Sequence, residues 1–233
     1  MAKIISWLAA AATLLAFPLT AATADCANQP IQNVQITCTG FCSQYNGDFA
    51  IKNLGLYRRL KGQIILKVQG NGEAYYVSPS SPRLIYLGQG GQTLDILLNQ
   101  SSGITDAALR GVVPGITRPF GADSDMDGLT DNYEMAIGTK ALNFNSDNDR
   151  YSDFLEVKNG FDPLGYGAWP VSAAATEKLK GRILLQVESL GQSWYVNPKD
   201  GKRYLFSDKY DTAEMIKVVG TGITNYTFDL MVK

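Results

Sequence analysis

Apolar and β-branched residues gather in short runs broken by glycine- and proline-containing turns, and the runs come in two sets of three. Residues 63–69, 73–78 and 83–87 form the first set, and 182–188, 192–197 and 202–206 the second. Their lengths and their β-branched and aromatic content predict strands. Lys199-Asp200-Gly201-Lys202 has the composition of a hairpin turn. After each set the period lengthens. Leu94, Leu97 and Leu98, and later Ala213, Ile216 and Val219, recur at helical spacing, so one helix is expected to cover a face of each sheet.

The two sets also match residue by residue. Leu60-Lys61-Gly62-Gln63-Ile64-Ile65-Leu66-Lys67-Val68 returns 119 positions later as Leu179-Lys180-Gly181-Arg182-Ile183-Leu184-Leu185-Gln186-Val187. Glu73 to Pro79 returns as Gln192 to Pro198, Arg83 to Tyr86 as Arg203 to Phe206, and Gly103-Ile104-Thr105 as Gly222-Ile223-Thr224. This reads as an internal duplication. The expected fold class is α+β: two small three-stranded β plus helix modules, residues 57–110 and 169–233, flanking an irregular loop block, residues 111–168. Modules of about 50 residues are small for independent stability, so packing on the block or between copies is expected.

The block carries the chemistry. Asp123 to Glu134 reads D-S-D-M-D-G-L-T-D-N-Y-E, and Asn145 to Glu156 reads N-S-D-N-D-R-Y-S-D-F-L-E, starting 22 residues later. Oxygen-bearing side chains fall on positions 1, 3, 5, 9 and 12 of both, the spacing by which a twelve-residue loop wraps Ca²⁺. In loop one the candidate ligands are Asp123, Asp125, Asp127, the Leu129 carbonyl, Asp131 (directly or through water) and Glu134, with Gly128 at the sharp turn. In loop two they are Asn145, Asp147, Asp149, the Tyr151 carbonyl, Asp153 and Glu156. Arg150 stands at the glycine position, where a left-handed backbone costs roughly 1–2 kcal/mol and a cation opposes the metal. Loop two is therefore expected to bind more weakly. A solvated acidic linker is the alternative, but two carboxylates about 4 Å apart repel by roughly 4 kcal/mol at an effective dielectric of 20, which favours a counter-ion.

Gly111 to Ala122 contains two prolines and three glycines, which forbid the entering helix of an EF-hand. Asp131 to Ile137 can form an exit helix ended by Gly138. The loop pattern, Gly138-Thr139 after it, and the run Glu156 to Pro163 resemble the thrombospondin type 3 repeats of bacterial secreted and surface proteins, over about forty residues. The resemblance implies structural Ca²⁺ sites in an exported protein, one strong and one weaker; Arg150 departs from its pattern.

Residues 1–24 read as a secretory signal: Lys3, an apolar stretch from Ile4 to Leu19, and an Ala22-Thr23-Ala24 cleavage site. A membrane anchor is the alternative for that stretch, and no later segment is long and apolar enough to span a bilayer. A Cys-containing segment, residues 25–56, follows; of Cys26, Cys38 and Cys42 two are expected to pair, leaving one free or cross-linking a second molecule. Residues 123–162 hold ten acids against Lys140, Arg150 and Lys158, a net −7, while the basic residues elsewhere are scattered and give no nucleic-acid footprint.

With no histidine in the chain, the usual general base of hydrolases is missing, and no nucleophile elbow or phosphate loop occurs. The expected protein is a non-enzymatic, secreted, periplasmic or cell-surface one, structural or adhesive. Its expected partner is a cell-wall glycan or another envelope protein. The competing class is a calcium-dependent carbohydrate-binding protein using Tyr75, Tyr76, Tyr86, Trp194, Tyr195 and Phe206 as a platform; the bland reading of those aromatics is core and edge cover.

Overall fold

The computed structural model describes residues 48–88, 92–117 and 121–233, all within one compact unit. The expected signal segment, the three cysteines, and Arg118, Pro119 and Phe120 of the loop-one approach lie outside the described residues. In chain order the first half forms β1 (Phe49–Ala50), α1 (Leu54–Leu60), β2 (Ile64–Lys67), β3 (Ala74–Val77), β4 (Arg83–Tyr86), α2 (Gln92–Leu98), β5 (Ser102–Ile104) and α3 (Asp106–Arg110). The block adds β6 (Pro114–Gly115), α4 (Asp131–Ile137) and α5 (Asp153–Asn159). The second half forms α6 (Ala173–Leu179), β7 (Ile183–Gln186), β8 (Ser193–Val196), β9 (Arg203–Phe206), α7 (Lys209–Val219), β10 (Thr221–Ile223) and α8 (Asn225–Val232). The class is α+β, with two five-stranded sheets and eight helices among the described residues.

All six strands predicted from the short β-branched and aromatic runs are present, each within two residues of its expected ends. They form two antiparallel meanders, β2-β3-β4 and β7-β8-β9. The remaining four strands are short ones that periodicity does not reveal. β1 pairs with β4, and the block's own β6 pairs with β9. The other two cross between halves: β5 from the first half runs parallel to β7, and β10 from the second runs parallel to β2. Each sheet is therefore completed by the half of the chain that did not build its meander.

Side-chain alternation then generates three cores. Ile64, Tyr76 and Ile85 of one sheet and Ile183, Tyr195, Tyr204 and Phe206 of the other meet in a central core with α2 and α7. On the far face of the first sheet, Ile65, Tyr75, Val77 and Leu84 pack on Phe228 and Met231 of α8. On the far face of the second, Leu184, Trp194, Val196 and Leu205 pack on Leu129, Tyr133, Ile137 and Val157 of the loop block. Successive strand residues point to opposite faces, so each meander serves two cores at once. Five of the six aromatics weighed as a platform are buried, Trp194, Tyr195 and Phe206 with no exposed surface, and Tyr86 is partly buried. They are core.

The halves meet most closely at Gly62 and Gly181. A Cβ on either would lie about 2.6 Å or less from the other's Cα, and both have positive φ, 76° and 74°. Only glycine fits there. Beside this contact the Tyr76 hydroxyl donates to the Gly181 carbonyl at 2.6 Å, and the Tyr195 hydroxyl donates to the Gly62 carbonyl at 2.7 Å. Buried phenols of this kind need an acceptor, and each half supplies the other's.

Candidate metal centre

The block is fixed to the second sheet by contacts around its loops. Tyr133 packs edge-on against Trp194 with ring centroids 5.9 Å apart and donates its hydroxyl to the Gly115 carbonyl at 3.2 Å. Gln186 links the two layers, accepting from Trp194 Nε1 at 2.6 Å and donating to the Ala136 carbonyl at 3.2 Å. Arg110 holds Asp162 through two bonds of 2.7 and 2.6 Å, and its carbonyl accepts from Trp169 Nε1.

Each loop runs into a helix by the same local device. Thr130 and Ser152 cap α4 and α5, accepting from Tyr133 N and Leu155 N, and Gly138 and Gly160 end them in the left-handed region. The exit helix expected at Asp131–Ile137 has those bounds.

Inside the loops, short side chains fold back onto the backbone. In loop one Asp125 Oδ1 accepts from Asp127 N, Asp123 Oδ2 from Gly128 N, and Asp127 Oδ1 from Leu129 N. In loop two Asp147 Oδ1 and Asn145 Oδ1 both accept from Asp149 N, and Asp149 Oδ1 accepts from Tyr151 N. These bonds aim the carboxylates at a common centre. Carboxylate oxygens of Asp123, Asp125 and Asp127 lie within 4.8 Å of one another, as do those of Asp147, Asp149 and Glu156. Both groups can hold a metal ion.

Several acceptors in these groups, and both oxygens of Glu134 outside them, lack any donor. Asp123 Oδ1, Asp125 Oδ2, Glu156 Oε2 and both oxygens of Glu134 are buried without a hydrogen-bond partner, and Glu134 has no exposed surface. An ionised carboxylate so placed is strongly unfavourable unless a cation joins it. Burial first, then Asp125, Asp127 and Asp153, push the Glu134 carboxyl up to about 8. Burial, then Asp149 and Asp147, push Glu156 up to about 7. Asp125, Asp127 and Asp153 are also raised, burial again leading. The loops act on each other. Asp153 of loop two helps to raise Asp127 and Glu134, and Asp127 Oδ2 accepts from Phe154 N at 2.8 Å at the start of α5.

The converging groups leave out part of the expected ligand set, and one backbone expectation is corrected. Glu134, Asp131 and Asp153 lie outside both groups: Asp131 accepts from Ser124 N and Oγ, both at 2.8 Å, and Asp153 accepts from Ser146 N and Oγ at 2.8 and 2.6 Å. Each spans its loop from position 9 to position 2 and sets its curvature. The strain expected at Arg150 is absent, because among the described residues the only non-glycine ones with positive φ are Met126 and Asn148, both at 62°. The left-handed turn sits at position 4, where loop two has asparagine, a residue that tolerates it well, and loop one has methionine. Gly128 adds a second positive φ, 107°, and a Cβ there would meet the Phe154 ring at 3.3 Å. Leu129 is buried and anchors loop one in the core, whereas Tyr151 is exposed.

Sequence reasoning also passed over the surroundings of loop two. Tyr151, Leu155, Phe161 and Tyr166, all substantially exposed, line a groove of about 460 Å³ together with Asp149 and Glu156. Exposed aromatics on both sides of a loop end were the available signal. Comparisons of the chain with protein-family models, with curated proteins and with solved structures return no match.

Proposed function

We propose that the protein is an exported, non-enzymatic structural or adhesive protein of the cell envelope or its exterior, in which calcium at both loops locks the block onto the second sheet. The single observation that carries this is the convergence of Asp123, Asp125 and Asp127, with Glu134, whose two carboxylate oxygens are buried without a partner, within their electrostatic reach. Every side-chain donor is oxygen, which suits a hard cation and gives no thiolate or imidazole for softer metals. A loop of alternate short acids closed by a Glu suits Ca²⁺, with its six to eight ligands, better than the rigid octahedron of Mg²⁺. Asp123, Asp125, Asp127 and Glu134 would hold one ion, and Asn145, Asp147, Asp149 and Glu156 the other. The thrombospondin type 3-like register of the two loops supports the same reading.

The ions would offset the block's net −7 and bring α4 and α5 to a fixed angle on Trp194 and its neighbours. Calcium titration of chelator-treated protein by calorimetry tests this directly. Two ions per chain, with affinities suited to an external medium of about 10⁻⁴–10⁻³ M calcium, are expected. Absence of binding heat, with no change in protease resistance of residues 123–162, would sink the reading.

A further inference from the structure

We propose that the groove beside loop two is a saccharide site, in which vicinal hydroxyls of a sugar complete the coordination of the loop-two cation while the ring lies on Tyr166 and Phe161. This rests on the calcium reading above and adds to it a ligand class. Three observations converge. The first is the shared wall: Asp149 and Glu156 belong to the metal group and also line the groove, so the group borders it. Glu156 is only 6% exposed, and its Oε2 is buried without a hydrogen-bond partner.

The second is a shortage of donors. Asp153 is fully occupied by Ser146, and Asn145, Asp147 and Asp149 each give an oxygen to a backbone N–H of the loop. The four side chains Asn145, Asp147, Asp149 and Glu156 leave part of calcium's six to eight positions to carbonyls, water or hydroxyls. The loop ends differ: Glu134 has no exposed surface, whereas Glu156 lines the groove.

The third is a rigid aromatic surface. Tyr166 is 98% exposed, yet the hairpin that carries it is tied down by the Phe161–Ala168 bridge, by Asp162 N to the Gly167 carbonyl at 3.0 Å, and by the Arg110–Asp162 pair. A ring carried on an ordered backbone spares the binding event the cost of ordering the segment that bears it. Its apolar face suits the C–H face of a pyranose, and the groove has the size of small-ligand sites with a few convergent polar groups. A quaternary amine would also suit aromatics beside carboxylates, but a bound cation removes the negative charge it needs.

Retention of the full chain on immobilised mannan, galactan and β-glucan, with calcium and with chelator, tests the proposal. Retention on at least one polysaccharide is expected, released by chelator and weakened about tenfold by Tyr166→Ala. Calcium stoichiometry and thermal midpoint should be unchanged in that variant, since the ring touches no core. Retention on none of the three in calcium, or retention indifferent to chelator or to Tyr166→Ala, overturns it. Binding of tetramethylammonium that strengthens on chelation overturns it in favour of a cationic ligand. Failure of the calcium reading is separate and shows as missing heat in the calcium titration.

Discussion

Loop one and loop two share a register and differ in how they are closed. Loop one ends in Glu134, which has no exposed surface, and is rooted in the core through Leu129 and Tyr133, whereas loop two ends in Glu156 at the wall of an open groove and exposes Tyr151. Twelve-residue spacing thus brings acids together in both loops, and the flanking residues decide what lies beside each group. Loop one is backed by core. Loop two borders a groove.

Removing both ions should have the largest effect. At calcium 100-fold above each Kd, mass action stabilises by about 2.7 kcal/mol per site, so chelation should lower the thermal midpoint by roughly 10–20 °C. Differential scanning calorimetry with and without chelator reads this, and equal midpoints would mean that neither loop is a structural site. Next comes Glu134→Gln against Glu156→Gln. Loss of the Glu134 charge should weaken the first site by about 100-fold, roughly 2.7 kcal/mol, while Glu156→Gln should cost about tenfold because water or a ligand from the groove can fill the gap. A reversed order, measured by calcium titration of each variant, would break the distinction between the core-backed and the groove-side loop.

The pH response should separate the loops in the metal-free protein. Glu134 and Glu156 are raised from 4.5 to about 8 and about 7, so the folded state holds protons that the unfolded state releases above 4.5. Metal-free stability is therefore full below about pH 4.5 and declines as pH rises, through about 7 for Glu156 and about 8 for Glu134, by on the order of a few kcal/mol. Calcium, which binds the ionised forms, should reverse the slope. Urea titrations at several pH values check both signs, and Glu134→Gln should flatten the upper part of the metal-free profile. The smallest effect concerns the turns. Arg150→Gly should change stability by less than about 0.5 kcal/mol, because no left-handed strain exists there to relieve, whereas Met126→Gly should stabilise loop one by roughly 1 kcal/mol.

Much of the framework was legible because its signals are local. Short β-branched and aromatic runs between turn residues located β2–β4 and β7–β9, and Gly138 marked the end of α4. Partner choice was not legible. Ser102–Ile104 and Thr221–Ile223 are three-residue strands without alternation, and their neighbours β7 and β2 lie far away in the chain. The repeated Gly-Ile-Thr drew attention to both places without saying what they pair with. Helix α6 had a readable signal, the Ser172 cap before three alanines, that hydrophobic period alone overlooks. At the site, the converging acids followed from spacing. The diversion of Asp131 and Asp153 did not, because it depends on the serines at position 2, and the strain assigned to Arg150 belonged two residues earlier.

The layering has a mechanical consequence. β1 and α8 carry the two ends of the described chain and belong to the same pole: Lys52 N donates to the Met231 carbonyl at 2.8 Å, and Phe49 packs on Phe228. The loop block covers the outer face of the opposite sheet. A pull applied through both ends loads β1, α8 and the first sheet in shear while the metal-bearing face hangs outside the line of tension. As a load-bearing link the molecule would yield at its hydrogen-bonded ends first, and its acidic loops would be the last part to feel the force.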